Sequence, residues 1–345
     1  VTVDKTRTVN SKSEKIRIAI LRALSEISGP AGAAKIAERL PALGVQLQPR
    51  TIRLYLNELD RAGLTQLTSR RKGRILTEPG RAELEHSNIV AKVGFVRGRI
   101  DTLGYRMTFR CKTGAGTVIS NFATVRTRDL SQIFTEIKPV FDKNLSMGTR
   151  LSLLHSGETR SGKTVPAGCA VLGTPCSITL NGILMAEGIP VTARYGGLLE
   201  MKQNRPLRFV ELMEYSAVTV DPLETFIRAG MTDLRGCIHK DHGIITASFR
   251  EIPSAATDDA NKIFARLQKL GLGGALLTGR PGQPLLDIPV AEGRTGFIVT
   301  GGLNPMAAIV EAGIPCEPRS LSSLEDFSLF RLYNETFRRY MDSLR

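Results

Sequence analysis

Cysteine is scarce in this 345-residue chain, and the five that occur are placed where they build nothing together. Cys111, Cys169, Cys176, Cys237 and Cys316 are odd in number and widely scattered. No Cys-x-x-Cys pair and no Cys/His pair has zinc spacing, so neither a disulfide framework nor a zinc module is indicated. Histidine numbers only four, and His239-Lys-Asp-His242 reads as a polar turn rather than a metal site. Long apolar runs are missing too. None approaches the ~18–20 residues of a membrane span, and the polar N-terminus is not a signal peptide. The expectation is a soluble, cytoplasmic chain with no membrane partner, no metal and no resident cofactor. Acidic residues are in deficit, 33 against 47 Lys and Arg, for a net charge of +14 that favours a polyanionic partner.

The charge is unevenly placed. Residues 1–87 hold 16 Lys and Arg against 9 Asp and Glu, leaving 31 against 24 for the rest, so a quarter of the chain carries half of the excess. Within that quarter, Leu47–Thr77 organises the reading. Pro49 has a fixed φ and no N–H, which suits the first turn of a helix. Ile52, Leu56 and Leu59 then recur at i, i+4 and i+7 as an amphipathic stripe, with Tyr55 and Ala62 flanking it and Gly63 ending it. The opposite face carries Arg50, Thr51, Arg53, Asn57 and Arg61. Two short β-type runs, Leu64–Thr68 and Arg74–Thr77, follow, joined by Ser69-Arg70-Arg71-Lys72-Gly73. A helix followed by a basic-tipped hairpin is a recognition helix with a wing.

Before it, residues 1–13 read as a frayed arm. A first helix places Ile16, Ile20, Leu24 and Ile27 on one face, and a second covers roughly residues 33–40. After the wing, Thr77-Glu78-Pro79-Gly80 caps a fourth helix expected to end near Ser87. The expected domain is a winged helix-turn-helix at 14–87. Its base-reading candidates are Arg50, Thr51 and Arg53 with Gln48 at the entry, Asn57 is a further DNA-binding candidate on the same face, and its phosphate contacts are Arg70, Arg71, Lys72 and Arg74, on double-stranded DNA. Arg61 reads as a plain surface charge. An RNA-binding or protein-docking winged helix is the rival for this domain.

Beyond residue 88 an internal repeat emerges. GTVISNFATV (116–125) lines up with GIITASFREI (243–252) at an offset of 127, matching Phe122 to Phe249 and Val125 to Ile252. Further on, VPAGCAVLGTPCSITLNGILMAEGIPV (165–191) resembles IPVAEGRTGFIVTGGLNPMAAIVEAGIPC (288–316), with Gly-Ile-Pro recurring at an offset of 125. Two copies at this spacing imply a duplicated α/β unit, not a solenoid. The expected fold is therefore α+β or α/β and multidomain, with copies at 88–215 and 216–345. Each copy should hold a helix near 129–142 or 255–270, and a second ending at Gly188 or Gly313. Phe330, Tyr333, Phe337, Tyr340 and Met341 form a C-terminal stripe suited to a core or a dimer contact.

Gly157-Glu-Thr-Arg-Ser-Gly162-Lys163-Thr164 matches the phosphate-loop pattern GxxxxGK[ST] letter for letter and supports an alternative reading, a nucleotide-binding or hydrolysing regulator. That chemistry needs a helix starting at the Gly-Lys-Thr. Pro166 and Gly168 oppose one. No nucleophile-elbow spacing is found either, and nothing argues for an enzyme. Small-anion sites are instead expected where strands turn into helices. Cys176, Ser177 and Thr179 in one copy, and Thr300, Gly301, Gly302 and Asn304 in the other, offer amides and hydroxyls to a carboxylate. Ser177 and Asn304 are expected to cap their helices, the latter with Pro305 at the first turn. Arg194 is a candidate countercharge.

These blocks resemble one known family. ILRALSEISGPAGAAKIAERL, PRTIRLYLNELDRAGL, GRILTEPG, GTPCSITLNGILMAEGIPV and TGGLNPMAAIVEAGIPC are similar to the NrpR-type nitrogen-regulatory transcriptional repressors across nearly the whole chain. The resemblance implies a homodimeric repressor of nitrogen-assimilation or nitrogen-fixation genes. Such a protein binds an inverted-repeat operator, alone or with a related repressor subunit, and is released when 2-oxoglutarate accumulates.

Overall fold

The computed structural model describes residues 5–27, 29–43, 45–69, 71–91, 95–160 and 163–343. The chain divides into two compact units, residues 1–92 and 93–345.

The first unit runs α1 (Lys5–Glu26), α2 (Ala33–Arg39), a 3-10 turn (Leu40–Leu43), α3 (Pro49–Arg61), β1 (Thr65–Ser69), β2 (Gly73–Leu76) and α4 (Glu78–Ala91). Ile20, Leu24, Ile36, Leu40, Ile52, Leu56 and Leu59 meet in one core. Each such side chain contributes about 1.5–3 kcal/mol by leaving water. Pro49 occupies the first turn of α3, and Gly63 closes the helix at φ 72°. β1 and β2 pair antiparallel. Ala31 exchanges both of its backbone hydrogen bonds with Arg74, at 2.9 and 3.0 Å, adding a one-residue third strand to the wing. Two expectations need correction. Residues 5–13 continue α1 rather than forming an arm, and α4 runs to Ala91 rather than stopping near Ser87. Residues 5–13 carry no apolar stripe by which a helix is read from sequence, and residues 88–91 add only about one turn to α4.

The second unit opens with α5 (Phe95–Arg106). The first repeat copy follows as β3 (Thr117–Arg126), α6 (Leu130–Asp142), β4 (Arg150–Leu154), the two-residue strands β5 (Thr159–Arg160) and β6 (Lys163–Thr164), β7 (Cys169–Pro175), α7 (Thr179–Ala186), β8 (Thr192–Lys202) and β9 (Arg205–Glu214). Two short helices, α8 (Pro222–Arg228) and α9 (Leu234–His239), lead into the second copy. That copy is β10 (His242–Pro253), α10 (Thr257–Lys269), β11 (Ala275–Thr278), β12 (Arg294–Thr300), α11 (Asn304–Glu311), β13 (Glu317–Asp326), β14 (Arg331–Leu332) and α12 (Tyr333–Ser343).

Strand register bears out the repeat residue by residue. Phe122 lies opposite Gly173 in one sheet, and Phe249 lies opposite Ile298 in the other. Those partners are related by the offsets of 127 and 125 found in the sequence. The two copies also exchange strands. One sheet has the order β13-β3-β7-β4-β14 and the other β11-β12-β10-β8-β9. The strand after each copy's second helix thus pairs with the first strand of the other copy, β8 on β10 and β13 on β3. The boundary at 215/216 divides the sequence repeat, but each sheet takes strands from both sides of it. All of these pairings are antiparallel.

The C-terminal aromatic stripe is largely a packing stripe. Phe134 of α6 stacks on Tyr340 with centroids 5.1 Å apart and meets Phe337 at 5.4 Å, while Phe141 stacks on Tyr333 at 4.9 Å. No helix among the described residues is long and apolar enough to cross a membrane.

Candidate nucleic-acid interface and effector site

On α3 the buried stripe leaves Arg50, Arg53, Asn57 and Arg61 exposed on the opposite face, with Gln48 exposed at the N-cap and Thr51 half-buried. Leu54 stands among them at 62% exposure, the most exposed large apolar side chain of α3. The sequence reading missed it, although its position off the Ile52–Leu56–Leu59 stripe was visible. An apolar side chain on a reading face can meet a thymine methyl group.

The wing sorts its basic residues into two kinds. Arg71 and Lys72 are exposed at the tip, and Arg70 lies outside the described residues. Arg74 instead points its guanidinium back at α3. Its Nε donates to Asp60 Oδ2 at 2.7 Å, and a terminal nitrogen donates to Asn57 Oδ1 at 2.7 Å. Thr65 Oγ1 donates to the other Asp60 oxygen at 2.6 Å. The Arg74 side chain is 15% exposed, so the pair is partly shielded and joins wing to helix. Asn57 and Arg74, both expected to face DNA, are here bonded to one another.

The phosphate-loop alternative meets a direct obstacle. Thr159 pairs with Thr164 and Arg160 with Lys163 in a small hairpin. A turn and then β7 follow, where a phosphate loop requires a helix.

In the second unit the two strand-to-helix turns lie against each other. A Cβ on Gly302 would fall 2.2 Å from the Pro175 carbonyl oxygen and 3.2 Å from Cys176 Cα, so only glycine permits the approach. Thr174 Oγ1 donates to the Gly302 carbonyl at 2.7 Å across the same contact. Cys176, Ser177, Gly301 and Gly302 are therefore brought together. The expected caps are not formed: α7 and α11 have Ile178 and Leu303 at their N-caps, with no side-chain cap hydrogen bond. Asn304 sits one residue inside its helix. Its side chain accepts from Thr246 N and Oγ1 at 3.1 and 2.6 Å and donates to the carbonyls of Leu145 and Thr246 at 2.6 and 3.1 Å. Thr179, its counterpart, serves the amide and carbonyl of Ile119 with one hydroxyl. Ile119 and Thr246 are themselves repeat partners. Both side chains act as struts between helix and strand, because a strand edge facing a helix end needs polar partners. Thr300 is likewise engaged, donating to the Ser146 carbonyl at 2.9 Å.

Arg194 is held elsewhere. It donates to Glu251 at 2.6 Å, to the Tyr195 hydroxyl at 2.8 Å and to the Pro289 carbonyl at 3.2 Å, and the Glu251 bond raises its pKa. The cation at the paired turns is Arg250, which is fully buried on β10. It donates to the Ser177 carbonyl at 2.8 Å, to Asn181 Oδ1, and to Ser248 Oγ at 3.1 Å. Among the described residues, Arg250 Nε and Asn121 Oδ1 are the buried side-chain atoms without a hydrogen-bond partner. Burial lowers the Arg250 pKa to about 10, which leaves it charged at neutral pH. Burial raises the Cys176 thiol to about 12, so it stays protonated and is no nucleophile. The signal for Arg250 lay in the repeat alignment, where it stands opposite Ala123 inside an apolar strand. Among the described residues no group of three potential metal ligands occurs. A desolvated guanidinium bonded at the N-terminus of α7 suits an anion.

A winged helix joined to a duplicated, strand-exchanged α/β body is the architecture of a winged-helix regulator. Residues 93–331 match the family model described as NrpR regulatory domains NRD1 and 2, and residues 18–84 match that of the ribonuclease R winged-helix domain. The chain is 31% identical over 318 residues to the global nitrogen regulator NrpRI of Methanosarcina mazei, covering 92% of this chain and 98% of that protein. It is 30% identical over 313 residues to the global nitrogen regulator NrpR of Methanococcus maripaludis, covering 91% of this chain but 54% of that one. A crystal structure of a nitrogen repressor-like protein from Methanococcus jannaschii shares the fold, with a TM-score of 0.59 at 24% identity, over 69% of this chain and 98% of that one. The chain belongs to the NrpR family of nitrogen regulators.

Proposed function

We propose that this chain is a DNA-binding transcriptional repressor of nitrogen-assimilation or nitrogen-fixation genes, released from its operator by a small anionic effector, 2-oxoglutarate. One observation carries the reading: an NrpR regulatory body is joined in one chain to a winged helix whose α3 exposes Gln48, Arg50, Arg53 and Leu54. Arg71 and Lys72 on the wing supply phosphate contacts, and two copies bind the two halves of an inverted repeat. The effector's carboxylates are received where the turns at Cys176–Ser177 and Gly301–Gly302 meet beside Arg250. Arg250 is the supporting feature, since a buried guanidinium without a bonded carboxylate favours an anion beside it. Because this place is closed, effector entry parts the two copies, and that movement couples it to DNA. The protein acts by binding and is not an enzyme.

Fluorescence anisotropy on an inverted-repeat promoter fragment tests the reading. Release by 2-oxoglutarate with indifference to ATP is the expected result. Equal affinity for a random duplex of the same length, or release by ATP alone, would overturn it.

A further inference from the structure

The two copies cover one face of their sheets differently. In the first sheet Thr124, Val171 and Leu154 lie in one row across β3, β7 and β4. Phe122, two residues along β3 from Thr124, shares their face. In the second sheet its repeat partner Phe249 takes that place, and there the loop between β11 and β12 acts as a plug. Leu285 and Ile288 of that loop are buried in one cluster with Phe249, against which Tyr195 and Val290 pack. Phe249 is wholly buried as a result. The first copy has no such plug. The β5–β6 hairpin and the turn after it leave a cleft of about 430 Å³, with Phe122, Leu154 and Val171 on one side and Val165 and Pro166 on the other. Phe122 is only half-buried.

The plug shows what fits such a place. It brings apolar side chains to the phenylalanine and an oxygen to an arginine, since Arg194 donates to the Pro289 carbonyl at 3.2 Å and to Glu251 at 2.6 Å. At the repeat offset of 125, Arg194 corresponds to Arg319, which lines the cleft. Glu251 corresponds to Thr124, so Arg319 lacks that carboxylate. The acids nearest to it, Glu317 and Glu224, stand at 3.6 and 3.8 Å, beyond hydrogen-bond distance. Arg160 of the hairpin is a second guanidinium in the same cleft, with its side chain 18% exposed. It donates to Ser152 Oγ at 3.3 Å and lies 3.7 Å from Glu325. Its other terminal nitrogen has no hydrogen-bond partner among the described residues. Apolar walls with a few convergent polar groups make a small-molecule site, and guanidiniums with unused donors suit a carboxylate. Glu317 and Glu325 also line the cleft, which favours a single negative charge over a phosphate.

We infer that the cleft beneath the β5–β6 hairpin binds a small carboxylic acid with an apolar body, the body against Phe122 and the carboxylate on Arg160 and Arg319. The cleft shares no residue with the paired turns beside Arg250, so it is a second ligand site and stands apart from the repressor reading. An apolar amino acid and the corresponding 2-oxo acid both have this chemistry.

Calorimetric titration of the full chain, without DNA or 2-oxoglutarate, decides it. The probes are phenylalanine, leucine, phenylpyruvate and 4-methyl-2-oxopentanoate, with phenethylamine as the apolar body lacking a carboxylate. At least one of the four acids binds at millimolar concentration or below, and phenethylamine does not. Binding of phenylalanine or leucine alone identifies an amino acid whose ammonium meets Glu317 or Glu325, and binding of the oxo acids alone identifies a simple carboxylate. Arg160→Gln weakens binding at least about tenfold by removing a charge-assisted hydrogen bond. Because that change also strips Glu325 of a cation, Val171→Phe is the second variant. It fills the cleft as the plug fills its counterpart, leaves both arginines in place and abolishes binding. Circular dichroism melts confirm that the variants fold. No binding of any acid, equal binding of phenethylamine, or binding unchanged in either folded variant would overturn the inference.

Discussion

At the scale of single residues, the wing shows how one residue type divides between structure and contact. Arg74 gives two nitrogens to Asp60 and Asn57, whereas Lys72 stands exposed at the tip. Arg74→Ala should lower the stability of the winged helix by about 1–3 kcal/mol, because it strips a partly shielded carboxylate of its partner; thermal melts read this. Lys72→Ala should leave the melt unchanged, weaken binding to all duplexes alike and reduce the salt slope by about one. Arg53→Ala or Leu54→Ala should instead narrow the gap between operator and random DNA by about 1–3 kcal/mol. Asp221 makes a different kind of prediction. Burial, with Glu224 beside it, raises its carboxyl to about 6. The fold then holds that proton more tightly than the unfolded chain, whose Asp titrates near 4. Its support for the fold is full below about pH 4 and is lost as pH rises to about 6, at a cost of about 2–3 kcal/mol. Asp221→Asn keeps an acceptor for the Leu223 amide and should flatten that part of the stability-against-pH curve. A slope unchanged by the substitution would contradict the assignment.

At the scale of elements, what the sequence disclosed follows from what its patterns can encode. The stripe Ile52–Leu56–Leu59 and the Pro49 and Gly63 signals gave α3, because burial at helical period leaves a trace in every turn. The repeat gave α6, α7, α10 and α11, because glycine at helix ends and apolar faces were duplicated together. α8 and α9 were not read, since seven and six residues are too few for a period, although Asp221-Pro222 is a cap and first-turn signal of the kind used elsewhere. The extension of α1 over residues 5–13 lacked an apolar face, and that of α4 to Ala91 was about one turn, too short to show a period. The helix N-termini were located correctly as places where the two copies correspond, but their capping was not. Thr179 and Asn304 turn inward to serve Ile119 and Thr246, a tertiary demand that no local pattern announces. Asn304→Ala should therefore cost more than a lost cap. It leaves the Thr246 amide and the Leu145 carbonyl buried without this partner, about 1–3 kcal/mol each, and urea unfolding should show it. A loss within the error of the measurement would mean the strut is not needed. Arg250 was hidden for a similar reason: its importance lies in the neighbours that the fold brings to it.

At the scale of the whole molecule, the strand exchange changes what a domain boundary means. Because β8 completes the second copy's sheet and β13 the first's, a chain ending at residue 215 would leave β3 without its outer partner. Residues 93–345 should unfold in one transition, with both sheets lost together, and a two-step melt would argue that the copies fold separately. The same exchange gives the repressor reading a physical route. A ligand held between the paired turns touches both copies at once, so its binding energy can shift how they sit together. Linkage then demands reciprocity, since a ligand that loosens DNA binding must itself be bound less tightly by the DNA-bound protein, and by the same factor. Calorimetric titration of 2-oxoglutarate into the protein, alone and saturated with an inverted-repeat operator, tests this most directly. The account predicts that operator weakens 2-oxoglutarate binding by the factor with which 2-oxoglutarate weakens operator binding. Equal affinity in both titrations, or no binding in either, would contradict it.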